Sequence, residues 1–255
     1  MDITLNLNLY KTPHGSFYSL PNDIVFVTHL RNGSVFEEDF ILKTILPTIK
    51  KHKPKENHIL LDIGGHIGSH SILYSQYMPS SSILTFEPQS ALYAILNKNI
   101  EINRATNIQT FNKAVGHKNC ACHMADTLYD GYNLKIDYEK TNQPFNYGGM
   151  TIGSGGEPVE MVRIDDLNLN GCDYMKMDVE GCESLVLLGA METIRKHKPV
   201  IMFEYSDKHL NEHITKELNV FSWATETPLE ILKEEGYRIQ SFPECNYIAT
   251  HIGSE

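Results

Sequence analysis

The stretch His58-Ile-Leu-Leu-Asp-Ile-Gly-Gly-His-Ile-Gly68 decides the fold. Ile59, Leu60 and Leu61 form a short apolar run that reads as a buried strand, and Asp62 and glycines at 64, 65 and 68 follow. Ser69 to Tyr74 then reads as the opening of a helix. Glycines let a backbone turn sharply and approach a ligand closely. A helix N-terminus offers unpaired N–H groups. The stretch therefore predicts a strand–turn–helix unit with a nucleotide-type ligand at the turn.

The spacing narrows the ligand. A dinucleotide fingerprint needs G-x-G-x-x-G, whereas Asp62, Gly64 and Gly68 give D-x-G-x-x-x-G. An acid at the end of the first strand would repel a pyrophosphate. It suits the ammonium and sulfonium of S-adenosyl-L-methionine. Ile83 to Phe86 reads as a second strand ending in Glu87, whose carboxylate can accept ribose hydroxyl protons as in other nucleotide folds. The bland alternative is a buried strand with an ordinary glycine turn and a solvated glutamate.

Composition sets outer limits. The 255 residues, 41% of them apolar, allow one α/β domain with a sizeable core. A formal net charge of −10 argues against nucleic acid or an anionic membrane as the main partner. The five cysteines (120, 122, 172, 182, 245) are odd in number and lack paired C-x-x-C spacing, so free thiols in a reducing compartment are expected and no metal site is assigned. The N-terminus has no basic, apolar leader. No apolar stretch reaches the ~18 residues of a membrane span. A soluble, cytoplasmic protein is expected, with its oligomeric state open.

Residues 1–57 read as an N-terminal extension packing on a core that occupies 58–255. Ile24 to Val27 predicts a strand, Asn32-Gly33 a hairpin turn, and Phe36 to Ile49 a helix closed by Pro54. Glu37 and Glu38 would open that helix, where its dipole favours acids. Ser90 to Asn103 predicts a helix with a Leu92, Ile95, Leu96, Ile100 stripe, and Asn107 to Val115 a third strand. Residues 116–158 break the rhythm with Tyr129, Tyr132, Tyr138 and Tyr147 and a glycine-rich run. They read as a β-rich insertion or lid, or as decoration away from the site. Tyr174 to Met177 is a strand ending at Asp178, and Glu180-Gly181 lead into a helix with Leu187, Met191 and Ile194. Pro199 to Phe203 is a strand ending at Glu204. Thr227-Pro228 opens a helix, and Tyr237–Phe242 with Asn246–His251 reads as a closing antiparallel pair. This alternation implies a doubly wound, mostly parallel sheet. Asp62, Glu87, Asp178 and Glu204 all fall at predicted strand ends, the edge where such sheets bind ligands.

Three segments carry a resemblance: Leu61-Asp-Ile-Gly-Gly-His-Ile-Gly68; Phe86-Glu-Pro88 with Leu96 to Asn103; and Met175-Lys-Met-Asp-Val-Glu-Gly-Cys-Glu183 with Leu188-Gly-Ala190. On them the chain resembles the FkbM family of S-adenosylmethionine-dependent methyltransferases; Phe36-Glu37 and Arg163-Ile-Asp165 also look like family positions. The resemblance implies a class I methyltransferase (Rossmann-like) fold with a seven-stranded sheet, and O-methylation of a small-molecule or glycan hydroxyl. It implies Glu37, Asp62, Gly64, Gly65, His66, Gly68, Glu87 and Pro88 for the cofactor. His66 departs from the small or amide residue more usual there.

Methyl transfer needs positioning and removal of the acceptor's proton. Asp178, Glu180 and Glu204 are candidate bases or substrate clamps. Asp178 with Glu204 would take the proton directly or through a divalent metal, the metal-free version being favoured. Lys176, on the same strand face as Asp178, would hold that carboxylate, steady an alkoxide, or pair structurally with Glu183. His66 and His70 read as helix histidines, solvated or hydrogen-bonded, with a base role as the alternative. Two other readings stay open: a nicotinamide-dependent oxidoreductase, disfavoured by the missing G-x-G-x-x-G, and a non-catalytic module of the same fold. The amide- and nucleobase-methylating signature Asn/Asp-Pro-Pro-Tyr/Phe is absent.

Overall fold

The structure, a computed structural model, describes residues 5–126, 144–206, 212–220 and 226–254. It opens with a hairpin of β1 (Asn8–Thr12) and β2 (Gly15–Ser19), turned at Pro13-His14. Helix α1 (Phe26–Arg31) comes next. The strand expected over Ile24–Val27 is replaced by this helix, because Asp23 Oδ1 accepts the Val25 and Phe26 N–H groups at 3.2 Å each and caps it. Asn32-Gly33 ends α1 instead of turning a hairpin: their N–H groups return to His29 O and Leu30 O, with Gly33 at φ 75°. The helix expected over Phe36–Ile49 is divided into α2 (Glu38–Phe40), a π turn (Ile41–Ile45) and α3 (Leu46–His52). Pro47 has no N–H for an α ladder, and the wider turn lies just ahead of it.

Strands β3 (Ile59–Ile63) and β4 (Ser82–Phe86) flank helix α4 (Ser69–Tyr77), and α5 (Ser90–Asn103) leads to β5 (Ile108–Phe111). The strand expected to run to Val115 breaks at Asn112, whose Nδ2 turns back to Glu87 O and Pro88 O at 2.9 Å each. Beyond the break, β6 (Ala114–Val115) joins a second sheet with β7 (Cys120–Ala125), β8 (Ile152–Gly153) and β9 (Gly155–Val162), in the order β6-β9-β7-β8. The 116–158 segment supplies most of that sheet, and β9 continues past 158; Tyr129, Tyr132 and Tyr138 lie outside the described residues. Then come β10 (Tyr174–Met177), α6 (Glu183–Leu188), α7 (Met191–His197), β11 (Val200–Glu204), α8 (Glu212–Leu218), α9 (Pro228–Glu234), β12 (Tyr237–Ser241) and β13 (Asn246–His251). α6 and α7 part at Gly189, where a Cβ would lie 1.9 Å from Gly116 O. Thr227 and Glu230 form a capping box on α9, with Pro228 in its first turn.

Among the described residues the main sheet has seven strands in the order β12-β13-β11-β10-β3-β4-β5. It is mixed: β11, β10, β3, β4 and β5 pair in parallel, and β13 runs antiparallel to both β11 and β12. Apolar side chains cover both faces, with Leu60, Tyr174 and Met202 on one and Leu61, Met175 and Phe203 on the other. From β3 the chain winds outward through β4 and β5, and from β10 it winds the other way. The order therefore reverses between β3 and β10, which puts a crevice at the carboxyl ends of these strands.

The N-terminal hairpin is tied to this core by amide side chains. Asn99 Oδ1 accepts Tyr18 N at 2.6 Å, and its Nδ2 donates to Tyr18 O at 3.0 Å and to Ile67 O at 2.9 Å. One turn further along α5, Asn103 repeats the pattern on Ser16. The two amides serve β2 as a neighbouring strand would, and Asn99 is fully buried. Asn99→Ala leaves Tyr18 N, Tyr18 O and Ile67 O without this partner. Urea denaturation should show a loss of about 2–3 kcal/mol at roughly 1 kcal/mol per bond.

Candidate active site

The site rests on a buried row beneath the glycine loop. Lys176, Asp62 and Thr85 are register partners on β10, β3 and β4 and share one sheet face. Lys176 Nζ donates to Gly64 O at 2.7 Å and lies 3.5 Å from Asp62 Oδ1 and 3.3 Å from Asp178 Oδ2. Ser71 Oγ, from α4, donates to Asp62 Oδ2 at 2.5 Å and contacts Thr85 Oγ1 at 2.6 Å. Burial alone would lower the Lys176 pKa, but Asp178, Asp62 and Glu37 outweigh it and hold the ammonium above the usual lysine range. The expectation that Asp62 faces the donor's cation is corrected: its side chain is fully buried under the loop and closed by Ser71 and Lys176. Nor does Lys176 pair with Glu183. Glu183 Oε1 instead accepts the Val179 and Gly181 N–H groups and ties the turn after β10.

The glycine loop and that turn are pressed together. A Cβ on Gly64, at φ 82°, would lie 1.9 Å from Asp178 O, so only glycine fits. Gly65 and Gly68 pack inward, where a Cβ would meet Thr85 Cγ2 at 2.3 Å and Leu96 Cγ at 3.2 Å respectively. They shape the loop and do not line the cavity it borders. His66 and Glu180 are both left-handed, at φ 50° and 53°. Non-glycine residues in this region store strain of the kind found at functional sites.

A cavity of about 330 Å³ opens above the loop, within the range of small-molecule sites. Gly64, His66, Glu87, Pro88, Asp178, Glu180 and Glu204 all line it. Glu87 is fixed by two backbone donors, His66 N to Oε2 at 2.9 Å and Gln89 N to Oε1 at 2.8 Å, while burial raises its pKa to about 7. Asp178 and Glu204 follow register partners Met177 and Phe203 and so end adjacent strands. Burial, then the Asp178, Glu183 and Glu37 carboxylates, raise Glu204 to about 8. Of the twelve expected site residues, Glu37 lies furthest from expectation: it lines a neighbouring cavity instead.

His66 and His70 are buried rather than solvated, and His66 precedes the helix. Each lies by a ring and a carboxylate of the N-terminal segment. Phe26 stacks on His66 at 3.9 Å with Asp23 Oδ2 3.4 Å from Nε2, and Phe36 lies near-parallel to His70 at 6.2 Å with Glu37 Oε2 3.6 Å from Nε2. Burial, then Lys176, lowers the His70 pKa to about 3. Asp23, Phe26, Gln89 and the Asn146–Met150 wall were missed in sequence. The Asp23–Phe26 and Asn146–Met150 segments meet through long-range pairing, Ile24 N donating to Phe145 O and Phe145 N to Asn22 O, and Gln89 joins them by donating Nε2 to Tyr147 O; no short motif signals that.

The model of the Methyltransferase FkbM domain matches residues 62–239, more than half of the chain. The chain belongs to the FkbM methyltransferase family. Curated relatives include Methyltransferase 1 of Beauveria bassiana, 26% identical over 148 residues, covering 52% of this chain and 59% of that protein. Another is 2-O-methyltransferase NoeI of Sinorhizobium fredii, 30% identical over 166 residues, covering 62% and 67%. A solved structure, Methyltransferase FkbM from Methylobacillus flagellatus, is 17% identical with a TM-score of 0.45, covering 76% of this chain and 44% of that one. The alignments thus span only part of these relatives. Membership sets the nicotinamide alternative aside.

The residues present fit the family's cofactor, S-adenosyl-L-methionine. Gly64 lines the cavity without a side chain, a fixed carboxylate lies at Glu87, and the lining carries Glu87, Asp178, Glu180 and Glu204 against Lys113 and His66. That excess of acids suits a cationic donor. Among the described residues no three His, Cys, Asp or Glu side chains are grouped to hold a metal. No described helix is long and apolar enough to cross a membrane.

The raised carboxyls make a stability prediction. Glu37, Glu87 and Glu183 at about 7 and Glu204 at about 8 bind protons in the folded protein that an ordinary glutamate, at 4.5, has released. Their stabilising contribution is full below pH 4.5 and is lost as pH rises to about 8. The melting temperature of the ligand-free protein should therefore fall across that window, and Glu204→Gln should flatten the fall. A melting temperature that rises steadily to pH 8 in scanning calorimetry would contradict the electrostatics described.

Proposed function

We propose that the chain transfers the methyl group of S-adenosyl-L-methionine to a hydroxyl of a small-molecule acceptor, of the sugar or glycan class. The observation that carries this reading is the pair Asp178 and Glu204 at adjacent strand ends, facing a cavity whose other wall is the glycine loop and Glu87. A relative named as a 2-O-methyltransferase supports oxygen as the atom methylated. Free thiols at all five cysteines fit a reducing compartment, and we place the reaction in the cytoplasm.

When bound, the sulfonium supplies an already activated methyl group. Gly64 and His66 would hold the donor from one side, and Glu87 with Pro88 from the other, the Glu87 carboxylate accepting ribose hydroxyls. Lys176 and Asp62 act from beneath by holding the Gly64 carbonyl and Asp178 in place. Gly65 and Gly68 let the loop pack against Thr85 and Leu96.

The acid–base roles follow from the two environments. Asp178 Oδ2 lies 3.3 Å from the Lys176 ammonium, which already engages it. Among the described residues Glu204 has no ion-pair partner, and its pKa, raised to about 8 by burial and by the neighbouring carboxylates, suits a base working near neutral pH. Glu204 accordingly takes the hydroxyl proton, while Asp178 accepts a hydrogen bond that aims the oxygen. Glu180, held left-handed with its carbonyl bonded by Thr151 Oγ1 at 2.6 Å, stands at the acceptor's side as a clamp.

Methyl transfer to a sugar panel, with S-adenosylhomocysteine affinity measured by calorimetric titration, tests the assignment. Glu204→Gln should lower turnover by ~100-fold or more, the scale of a general base, and leave S-adenosylhomocysteine affinity unchanged. Glu87→Ala should do the reverse, weakening binding through loss of a bidentate contact. Normal turnover in Glu204→Gln would sink the base assignment. Binding without transfer to any acceptor would identify a non-catalytic module.

A further inference from the structure

A second cavity, about 580 Å³, adjoins the first and shares Phe36 with it. Its walls are the segment from Ser34 to Phe40 and the turn between β12 and β13, neither of which has a task in the reading above. Three rings line it, Phe36, Phe40 and Phe242, the last two packed with centroids 5.1 Å apart.

Its polar groups are incompletely answered. Glu38 faces His14 and Asp39 faces Lys43, so neither is directed at a ligand. Glu37 differs. Its side chain is 7% exposed, Asn246 Nδ2 donates to Oε1, and Oε2 lies 3.6 Å from the His70 ring, with no hydrogen bond from another described residue. His70, its pKa lowered to about 3 by burial, gives Glu37 no counter-charge near neutral pH. Asn246 is 5% exposed and lines the cavity, and its Oδ1 has no hydrogen-bond partner. At the rim Glu244 and Cys245 are both left-handed, at φ 61° and 58°, a conformation that costs each roughly 1–2 kcal/mol. That strained turn holds the Glu244 carboxylate at the cavity mouth.

Two carboxylates and three ring faces suit one chemistry, an ammonium group. Its charge meets Glu37 and Glu244, and its neighbouring C–H groups meet the rings. We propose that the second cavity receives a cationic amino group of the acceptor, which is therefore an amine-bearing hydroxyl compound such as an amino sugar. This rests on the proposed acceptor site, which Phe36 also lines.

The test is calorimetric titration of the protein saturated with S-adenosylhomocysteine. The probes are glucosamine and kanamycin, each against its N-acetylated form. The amines should bind and the acetylated forms should bind at least about tenfold more weakly, the scale of one charge-assisted contact. Glu244→Gln, on an exposed turn, and Asn246→Leu should each weaken amine binding by a similar factor and leave S-adenosylhomocysteine affinity unchanged. Neutral and cationic probes binding alike would overturn the proposal. So would failure of both amines to bind while S-adenosylhomocysteine binds, which leaves the methyltransferase reading standing. Variants that weaken S-adenosylhomocysteine equally would assign the cavity to the donor and overturn it too. Absence of S-adenosylhomocysteine binding would defeat both readings.

Discussion

The site depends on one buried ammonium. Lys176 lies under the sheet's carboxyl edge, 4% exposed, and touches three things that must stay in register: the Gly64 carbonyl, the Asp62 carboxylate and the Asp178 carboxylate. Removing one partner of such a pair leaves the other charge buried and uncompensated, which costs about 3–5 kcal/mol. The contact is therefore a clamp between the glycine loop of β3 and the turn of β10. Those two segments meet so closely that Gly64 has no room for a side chain. The glycine loop and the turn after β10, two walls of the same cavity, are thereby held at a set separation, as the proposed methyl transfer would require.

Around that clamp, charge is arranged unevenly. Lys176 answers Asp62 and Asp178, whereas Glu87, buried, and Glu37 and Glu204, half-buried, form no ion pair with a Lys or Arg side chain among the described residues. Backbone N–H groups orient Glu87 without neutralising it, and Asn246 does the same for Glu37. An interior that tolerates three such carboxyls is poorly optimised as an empty protein. It is well suited to ligands that bring positive charge.

Much of this was legible in the sequence, and the failures have identifiable causes. β3, β4, β10 and β11 announce themselves as apolar runs ending in an acid, and their order follows from the alternation with helices. The Thr227-Pro228 helix start was readable because a capping box is local chemistry. Ile24–Val27 misled because a four-residue apolar run carries no period, and one Asp23 hydrogen bond pattern decided its conformation. Asp62 misled differently. Its position at a strand end is as read, but the direction of its side chain depends on Lys176 and Ser71, from two other elements. The wall built from Asn22–Phe26 and Phe145–Met150 was invisible for the same reason, since its pairing joins distant segments.

That wall bears on why the two histidines are buried. Both sit on the face that the N-terminal segment covers, each beside one of its rings and one of its carboxylates. A neutral imidazole costs far less to bury than a charged one, and His70 is held neutral there. The ring faces give the aromatic side chains flat surfaces to pack on, and the nearby carboxylates stay partly unanswered. The same packing that docks the N-terminal segment over the glycine loop thus leaves Glu37 with an oxygen to offer. Docking the segment and charging the adjoining cavity are one structural event, because Phe36 and Glu37 are consecutive residues and cannot be placed separately.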